Sequence, residues 1–167
     1  MSQVLILKSN IMKIKSTLIE AHIFRRVNNK IEFLLMKRAP NEMYPNVWQM
    51  ITGTNEDGEK AFETAIREIR EETSLHPKSL WIVPNVNSFY SANDDSINMV
   101  PVFVAEVDSK LEVVLSDEHS EYIWCNKAKA NELFAWPGQR ESVNIISEYF
   151  SNEKSLLKLI KIKEGEL

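Results

Sequence analysis

Apolar and polar positions along this chain follow two periods, and the changes of period mark its elements. From Ile14 to Val27 β-branched and apolar residues partly alternate, and from Ile31 to Arg38 ("IEFLLMKR") they do so again. With "NNK" (Asn28 to Lys30) as the turn between them, the two runs predict a β-hairpin. "APNEMYPN" then reads as a loop, and "VWQMIT" (Val47 to Thr52) as a short strand ending at Gly53. Further strands are predicted at Leu80–Val83, Val86–Tyr90, Asn98–Val107 and Glu121–Cys125. "NKAKANELFAW" and "RESVNIISEYF" read as helices. In "EKSLLKLIKIKE" the apolar Leu156, Leu157, Leu159 and Ile160 stand among lysines. That is the pattern of a final helix or strand lying on the domain, in preference to a membrane-surface helix. The order of elements predicts an α+β domain over residues 14–150, a mixed sheet with helices packed against it. Residues 1–13 form an N-terminal arm, with Met12 as an alternative start, and residues 151–167 a C-terminal segment packed on the domain.

The period changes most sharply in "GTNEDGEKAFETAIREIREETSL", Gly53 to Leu75. Phe62, Ala65, Ile66, Ile69 and Thr73 recur at the three- and four-residue steps of one helical stripe. Advancing ~100° per residue from Phe62, that stripe spans roughly −60° to +40°. Glu68, Glu71 and Glu72 then fall near ~240°, ~180° and ~280°, an acidic ridge beside the apolar face. Like-charge neighbours at these spacings each cost roughly 0.2–0.5 kcal/mol on an exposed helix. Arg67 can relieve Glu71 and Glu63, but no basic residue stands four residues from Glu68 in either direction. The ridge is either a solvated face or the seat of a hard divalent cation, which takes carboxylate oxygens together with substrate phosphates.

Composition narrows the setting. A chain of 167 residues fits one domain with a full core. With 44% apolar and 26% charged residues it has the balance of a globular protein. A net charge of −4 argues against a general nucleic-acid partner. The single cysteine, Cys125, permits no intramolecular disulfide and suits a reducing compartment. "VLIL" (Val4 to Leu7) is too short for a signal segment, and no run reaches the ~20 apolar residues of a membrane span. These features predict a cytoplasmic location and no membrane partner, and leave monomer and homodimer open.

The spacing in the acidic segment decides between its two readings. Gly53, five residues, Glu59, seven residues, then Arg67-Glu68-Ile69, one residue, Glu71-Glu72, one residue, Ser74-Leu75 resembles the Nudix box, in which Gly stands where this chain has Ser74. Gly at that position serves the turn that ends the helix; Ser either adopts the same left-handed backbone at a cost of about 1 kcal/mol or ends the helix differently. No side-chain ligand is lost. The resemblance implies a Nudix fold, a mixed sheet sandwiched between helices, and hydrolysis of a nucleoside diphosphate linked to another group. It further implies Mg²⁺, with Mn²⁺ as a substitute. Glu68 and Glu72 are then the main metal ligands and Glu71 a further one; the Gly53 carbonyl also ligates, Glu59 supports the site, and Arg67 orients the carboxylates.

Outside the box, "SDEHSEYIWCN" sets Glu118 six residues before Trp124, a placement similar to that of an additional glutamate in many Nudix enzymes. Glu118 is the first candidate for general base or extra ligand, and Glu71 is the rival. His119 reads as an exposed, inert loop histidine. "ITG" before the box and "WPGQRESV" (Trp136 to Val143, with Arg140) resemble the branch of dihydroneopterin-triphosphate pyrophosphatases and dATP pyrophosphohydrolases. The expected reaction is pyrophosphohydrolysis of a (deoxy)nucleoside or dihydroneopterin triphosphate. The alternatives are a Nudix hydrolase of diadenosine polyphosphates or ADP-ribose-type compounds, and a non-catalytic nucleotide-binding module. Arg25, Lys37 and Arg38 are either phosphate contacts or solvated strand-end charges. Trp48 and Trp136 either stack on a flat ring or belong to the core. Phe89, Tyr90 and "SANDDS" mark another pocket edge.

Overall fold

The computed structural model describes residues 12–152, 154–163 and 165; the expectations for residues 1–11 lie outside them. The hairpin forms as β2 (Leu18–Val27) and β3 (Lys30–Arg38) around a tight turn. Its two central residues, Asn28 and Asn29, have φ of 49° and 61°. Positive φ at both positions matches the right-handed twist of the flanking strands, and Asn tolerates that backbone better than most residues.

Both long strands are read on two faces. Ile19, Ala21 and Ile23 of β2 and Leu34 and Met36 of β3 pack on one side with Ala65, Ile66 and Ile69 of α1 (Ala61–Thr73). Phe24, Phe33 and Leu35 pack on the other with Ala130 of α2 (Lys127–Leu133), Phe134, and Val143 and Ile146 of α3 (Pro137–Ser151). The period of two along each strand therefore builds two cores, and the sheet is sandwiched between helices.

The path through the sheet runs β4 (Trp48–Gln49), β3, β2, β7 (Ser96–Glu106), β6 (Ser79–Ser91), β9 (Ile160–Lys161). β1 (Lys13–Lys15) pairs with β7, β5 (Ile51–Thr54) with β2, and β8 (His119–Cys125) with β3. The β2–β7 and β1–β7 pairs are parallel and the other pairs antiparallel, so the sheet is mixed.

Two of the predicted strands divide and two merge, and β7 and β8 begin two residues earlier than predicted. The Ile14–Val27 run breaks at Ser16 and Thr17 into β1 and β2. "VWQMIT" divides at Met50, because β4 pairs with β3 and β5 with β2. The two strands predicted around Pro84 are one, β6, with an irregular register between Ile82 and Val86, where proline offers no N–H. The C-terminal segment contributes two residues of strand, β9, along the β6 edge. The residues flanking β9 are buried, Leu159 in the core beneath α3 and Ile162 in the core beneath α1.

Candidate active site

The β5–α1 connection brings the box together. Gly53 on β5 lies opposite Ile19 of β2, and the Glu68 side chain is pressed against it. A Cβ at position 53 would come within 2.3 Å of Glu68 Cγ, so only glycine leaves room for that side chain. At the helix start, the Glu63 carboxylate accepts from the Lys60 N–H at 2.8 Å. At its end, Ser74 adopts φ 57° and donates its N–H to the Arg70 carbonyl at 2.8 Å. Serine thus makes the left-handed turn that the box usually assigns to glycine.

Arg67 gathers the carboxylates. Its guanidinium donates to both Glu59 oxygens at 3.0 and 3.1 Å, to Glu68 at 2.8 Å, to Glu71 at 3.0 Å and to the Thr54 carbonyl at 3.1 Å. Glu71 is bonded at the four-residue step read in the sequence. Glu63 is not; it turns back to the helix start, and Arg67 bridges Glu59 and its immediate neighbour Glu68 as well. The Arg67 hydrogen bond holds Glu59 down to about 2, and Thr64 adds a donor at 2.7 Å. Hydrogen bonding to Glu59 in turn holds the guanidinium well above its ordinary value.

Glu68 and Glu72 move the opposite way. Burial raises Glu68, with Arg67 working against it and the Glu71 and Glu118 charges adding to it. Burial pushes Glu72 up to about 7, opposed by a hydrogen bond from His119 Nε2 at 2.6 Å and reinforced by Glu68 and Glu118. The expectation of an exposed, inert His119 is therefore corrected. It opens β8, its side chain is buried, and it faces Glu72, because the β3–β8 register sets it beside Arg38 and under the helix.

Glu68, Glu72 and Glu118 thus form a set of oxygen donors whose charges oppose one another, and the Gly53 backbone lies against Glu68. Such a set fits a hard divalent cation. Among the described residues no three acidic, histidine or cysteine side chains are gathered at metal-holding distances. The reason is visible in the hydrogen bonds, since Arg67 draws Glu59, Glu68 and Glu71 together while His119 draws Glu72.

A half-open cleft of about 900 Å³ includes Glu68 and Glu118 in its lining, while Glu72 stays buried behind it. Gly53, Glu68 and Glu118 line one end. Tyr44 and Trp136, edge to face at 5.5 Å, line the rim, and Phe89 and Tyr90 border it as the sequence suggested. Of the residues expected to bind substrate, Arg38 and Trp136 line the cleft. The other four do not, and each has a structural partner. Arg25 pairs with Glu32 and lies 4.3 Å over the Trp124 ring, while Lys37 pairs with Glu121 across the β3–β8 ladder. Trp48 packs into the core beneath α2 and α3, and Arg140 donates to the Phe134 and Ala135 carbonyls, clamping the α2–α3 turn.

The cleft also contains residues that the sequence did not single out: Glu20, Gln49, Asn87 and Gln139. Glu20 had a signal. It and His22 are polar residues two apart on one face of the strand, within a Leu18–Phe24 run that is otherwise apolar, and both are buried. Buried carboxylates are rare without a task or a partner.

The NUDIX domain family profile matches residues 18–144, and the chain belongs to that family. It is similar to the bis(5'-nucleosyl)-tetraphosphatase [asymmetrical] of Caenorhabditis elegans, 31% identical over 113 residues that cover 66% of this chain and 79% of that protein. It is also similar to the dihydroneopterin triphosphate diphosphatase of Haemophilus influenzae, 27% identical over 138 residues that cover 72% of this chain and 80% of that protein. Among solved structures, a C. elegans Ap4A hydrolase binary complex superposes with a TM-score of 0.70 at 23% identity, covering 81% of this chain and 97% of that one. The E. coli dihydroneopterin triphosphate pyrophosphohydrolase superposes with a TM-score of 0.64 at 21% identity, covering 80% and 96%. At these identities the structural matches speak for the shared fold.

Proposed function

We propose that this Nudix hydrolase is a Mg²⁺-dependent pyrophosphohydrolase of a nucleoside or dihydroneopterin triphosphate, with Mn²⁺ able to substitute. One observation carries the reading: a single cleft joins the Glu68–Glu118 end to an aromatic and polar wall. That shape suits a ligand with an anionic tail and a flat ring. A divalent cation, when bound, neutralises phosphate oxygens and makes a bound water more acidic.

The protein's own groups supply the rest. Glu68, Glu72 and the Gly53 carbonyl would hold the cation, with Glu71 as a further ligand. Arg67 and Glu59 brace the carboxylates through the hydrogen bonds described above. For the general base, position favours Glu118 over Glu71, both being exposed. Glu118 lines the cleft beside Glu68, whereas Glu71 points to solvent on Arg67. Arg38 at the cleft wall is positioned for the phosphate tail, and Tyr44 and Trp136 for the ring. The buried single cysteine agrees with a cytoplasmic enzyme.

A second reading, hydrolysis of a diadenosine polyphosphate, draws on the similarity to asymmetrical tetraphosphatases of C. elegans and mouse, at 31% and 32% identity. A non-catalytic module is disfavoured, since Glu59, Arg67, Glu68, Glu71 and Glu72 are all retained. One assay tests these readings. A panel of nucleoside triphosphates, dihydroneopterin triphosphate, diadenosine tetraphosphate and ADP-ribose is incubated with Mg²⁺ at alkaline pH, and both products are identified. Pyrophosphate with a monophosphate is the expected outcome. A triphosphate paired with a monophosphate would favour the second reading, and binding without any hydrolysis would favour the module.

A further inference from the structure

The cleft's polar wall carries a carboxylate that the hydrolytic chemistry does not use. Glu20 is 4% exposed and lies on the face of β2 opposite Ile19 and Ala21, which pack beneath α1. His22 Nε2 donates to Glu20 Oε1 at 2.8 Å, and Asn87 Nδ2 donates to Glu20 Oε2 at 2.7 Å. No lysine or arginine pairs with it among the described residues. Taking a carboxylate out of water is expensive unless its acceptor sites are filled. Two neutral-type donors leave about half of its four lone-pair sites, and Glu20 lines the cleft.

The surroundings of Glu20 are fixed. Asn85 Nδ2 donates to Asn87 Oδ1 at 3.2 Å, which commits the Asn87 amide to one orientation. Gly138, in the first turn of α3, presses on the same amide; a Cβ there would meet Asn87 Oδ1 at 2.2 Å. Gln139, next along the helix, is 6% exposed, and its Oε1 is buried without a partner on the cleft wall. Gln49 accepts from Arg38 Nη1 at 3.2 Å through Oε1, which leaves its NH₂ end as a donor. The wall therefore offers a carboxylate and an amide oxygen as acceptors, with one amide donor beside them.

We infer that Glu20, held by His22 and Asn87, is a specificity-determining residue that reads the amino edge of a 2-amino-4-oxopyrimidine ring, the ring shared by guanine and by pterins. In that ring a ring N–H and the exocyclic 2-NH₂ point the same way, and a carboxylate matches both in a two-bond fork. Gln139 Oε1 accepts the second amino hydrogen, and the Gln49 NH₂ donates to the oxo group. Adenine presents one amino donor next to a ring nitrogen that is itself an acceptor, so its lone pair faces the carboxylate's. Hypoxanthine keeps the ring N–H but lacks the amino group. The inference rests on the reading of this cleft as a triphosphate site and narrows its substrate class.

The test has a catalytic arm and a binding arm. The kcat/KM values for guanosine, inosine, adenosine and 7,8-dihydroneopterin triphosphates are compared with Mg²⁺ for the wild type, Glu20→Gln and Gly138→Ala. Binding of guanosine and inosine 5'-monophosphates is measured by calorimetry in EDTA, where no turnover is needed. The wild type is expected to prefer guanosine over inosine by roughly 10- to 100-fold in kcat/KM, with the same order in binding. The ratio should fall to within about threefold in Glu20→Gln, and to an intermediate value in Gly138→Ala, which dislodges Asn87 without touching Glu20. The faster of the guanosine and dihydroneopterin substrates identifies which source of the ring is used. Equal handling of guanosine and inosine by the wild type in both arms overturns the inference, as does a ratio unchanged in Glu20→Gln. Should Glu20→Gln fail to fold, the wild-type ratio and Gly138→Ala decide. Absence of hydrolysis with every substrate would instead refute the pyrophosphohydrolase reading, and the binding arm then judges Glu20 alone.

Discussion

The Glu72 carboxylate and the His119 imidazole lie 2.6 Å apart and buried, although 47 residues of chain separate them. Burial raises the Glu72 pKa from 4.5 to about 7 even against the His119 hydrogen bond. The folded protein therefore holds a proton there that the unfolded chain releases near pH 4.5. Between these values the native state binds more protons, so stability falls as pH rises. A shift of this size is on the order of 3 kcal/mol. In EDTA the melting temperature is expected to drop from about pH 5 to about pH 8, and Glu72→Gln is expected to flatten that slope. Mg²⁺ should restore stability mainly at the alkaline end, since it needs the deprotonated carboxylate. Thermal melts of both proteins across this range, with and without Mg²⁺, check the sign. A wild-type slope that rises, or one that survives in Glu72→Gln, would remove Glu72 as its source.

Glu68 and Glu72 are each expected to be required for turnover. Glu68→Gln and Glu72→Gln keep side-chain volume and remove a charge, so the protein should stay folded while kcat/KM falls by roughly 10²–10⁴-fold. Circular dichroism establishes the fold, and Mg²⁺ titration of the thermal shift reads the cation site separately from chemistry. Wild-type-like turnover in either variant would dismiss that residue as a ligand.

Gly53→Ala tests the contact between β5 and α1. The added methyl would meet Glu68 Cγ, Oε1 and Cδ at 2.3, 2.6 and 2.7 Å. The Glu68 side chain can swing, so the expected stability loss is modest, about 1–2 kcal/mol. Activity should fall at least about tenfold, because a ligand displaced by ~1 Å no longer matches the reacting geometry. Denaturant melts and steady-state rates measured side by side separate the two effects. A large stability loss with activity retained in the folded fraction would make Gly53 a packing residue only.

The two ends of the cleft were unequally legible in the sequence. The carboxylate end is local: Glu59, Arg67, Glu68, Glu71 and Glu72 belong to one loop and one helix, so linear spacing encodes their geometry. Even there, local spacing gave only part of Arg67, whose long side chain reaches Glu71 as spaced but also Glu68 and Glu59, and not Glu63. His119 and Glu20 depend on register between distant strands. His119 reaches Glu72 only because β8 pairs with β3, and Glu20 meets Asn87 across β7, which separates β2 from β6. Arg25, Lys37 and Trp48 show the converse. Their residue types suited phosphate and ring binding, but other partners claim them, Glu32 and Glu121 across the ladder for Arg25 and Lys37, and Phe134 at the end of α2 for Trp48.

Ser74 is the one box position that departs from the Nudix pattern, and its φ of 57° makes it a site of removable strain. Ser74→Gly is expected to stabilise the protein by up to about 1 kcal/mol, less the extra backbone entropy of glycine in the unfolded chain. Because Ser74 is exposed and its contribution to the helix end is a backbone N–H, kcat/KM should not change. Urea unfolding read by tryptophan fluorescence gives the difference. A destabilisation would mean that the serine side chain contributes something the backbone geometry does not.

Glu118 and Glu71 are separable as proton acceptors. Glu118 lines the cleft beside Glu68, and its charge bears on both Glu68 and Glu72. Glu71 is more than half exposed and hydrogen-bonded to Arg67 at 3.0 Å, on the outer side of the ridge. If Glu118 takes the proton of the attacking water, Glu118→Gln should lower kcat by roughly 10²–10⁴-fold and leave KM little changed. Glu71→Gln would then cost less, and its effect should appear as weaker Mg²⁺ binding, recoverable at higher Mg²⁺. Measuring kcat and KM at several Mg²⁺ concentrations for both variants distinguishes the roles. Recovery of Glu118→Gln by added Mg²⁺, with a metal-independent loss in Glu71→Gln, would exchange the two assignments.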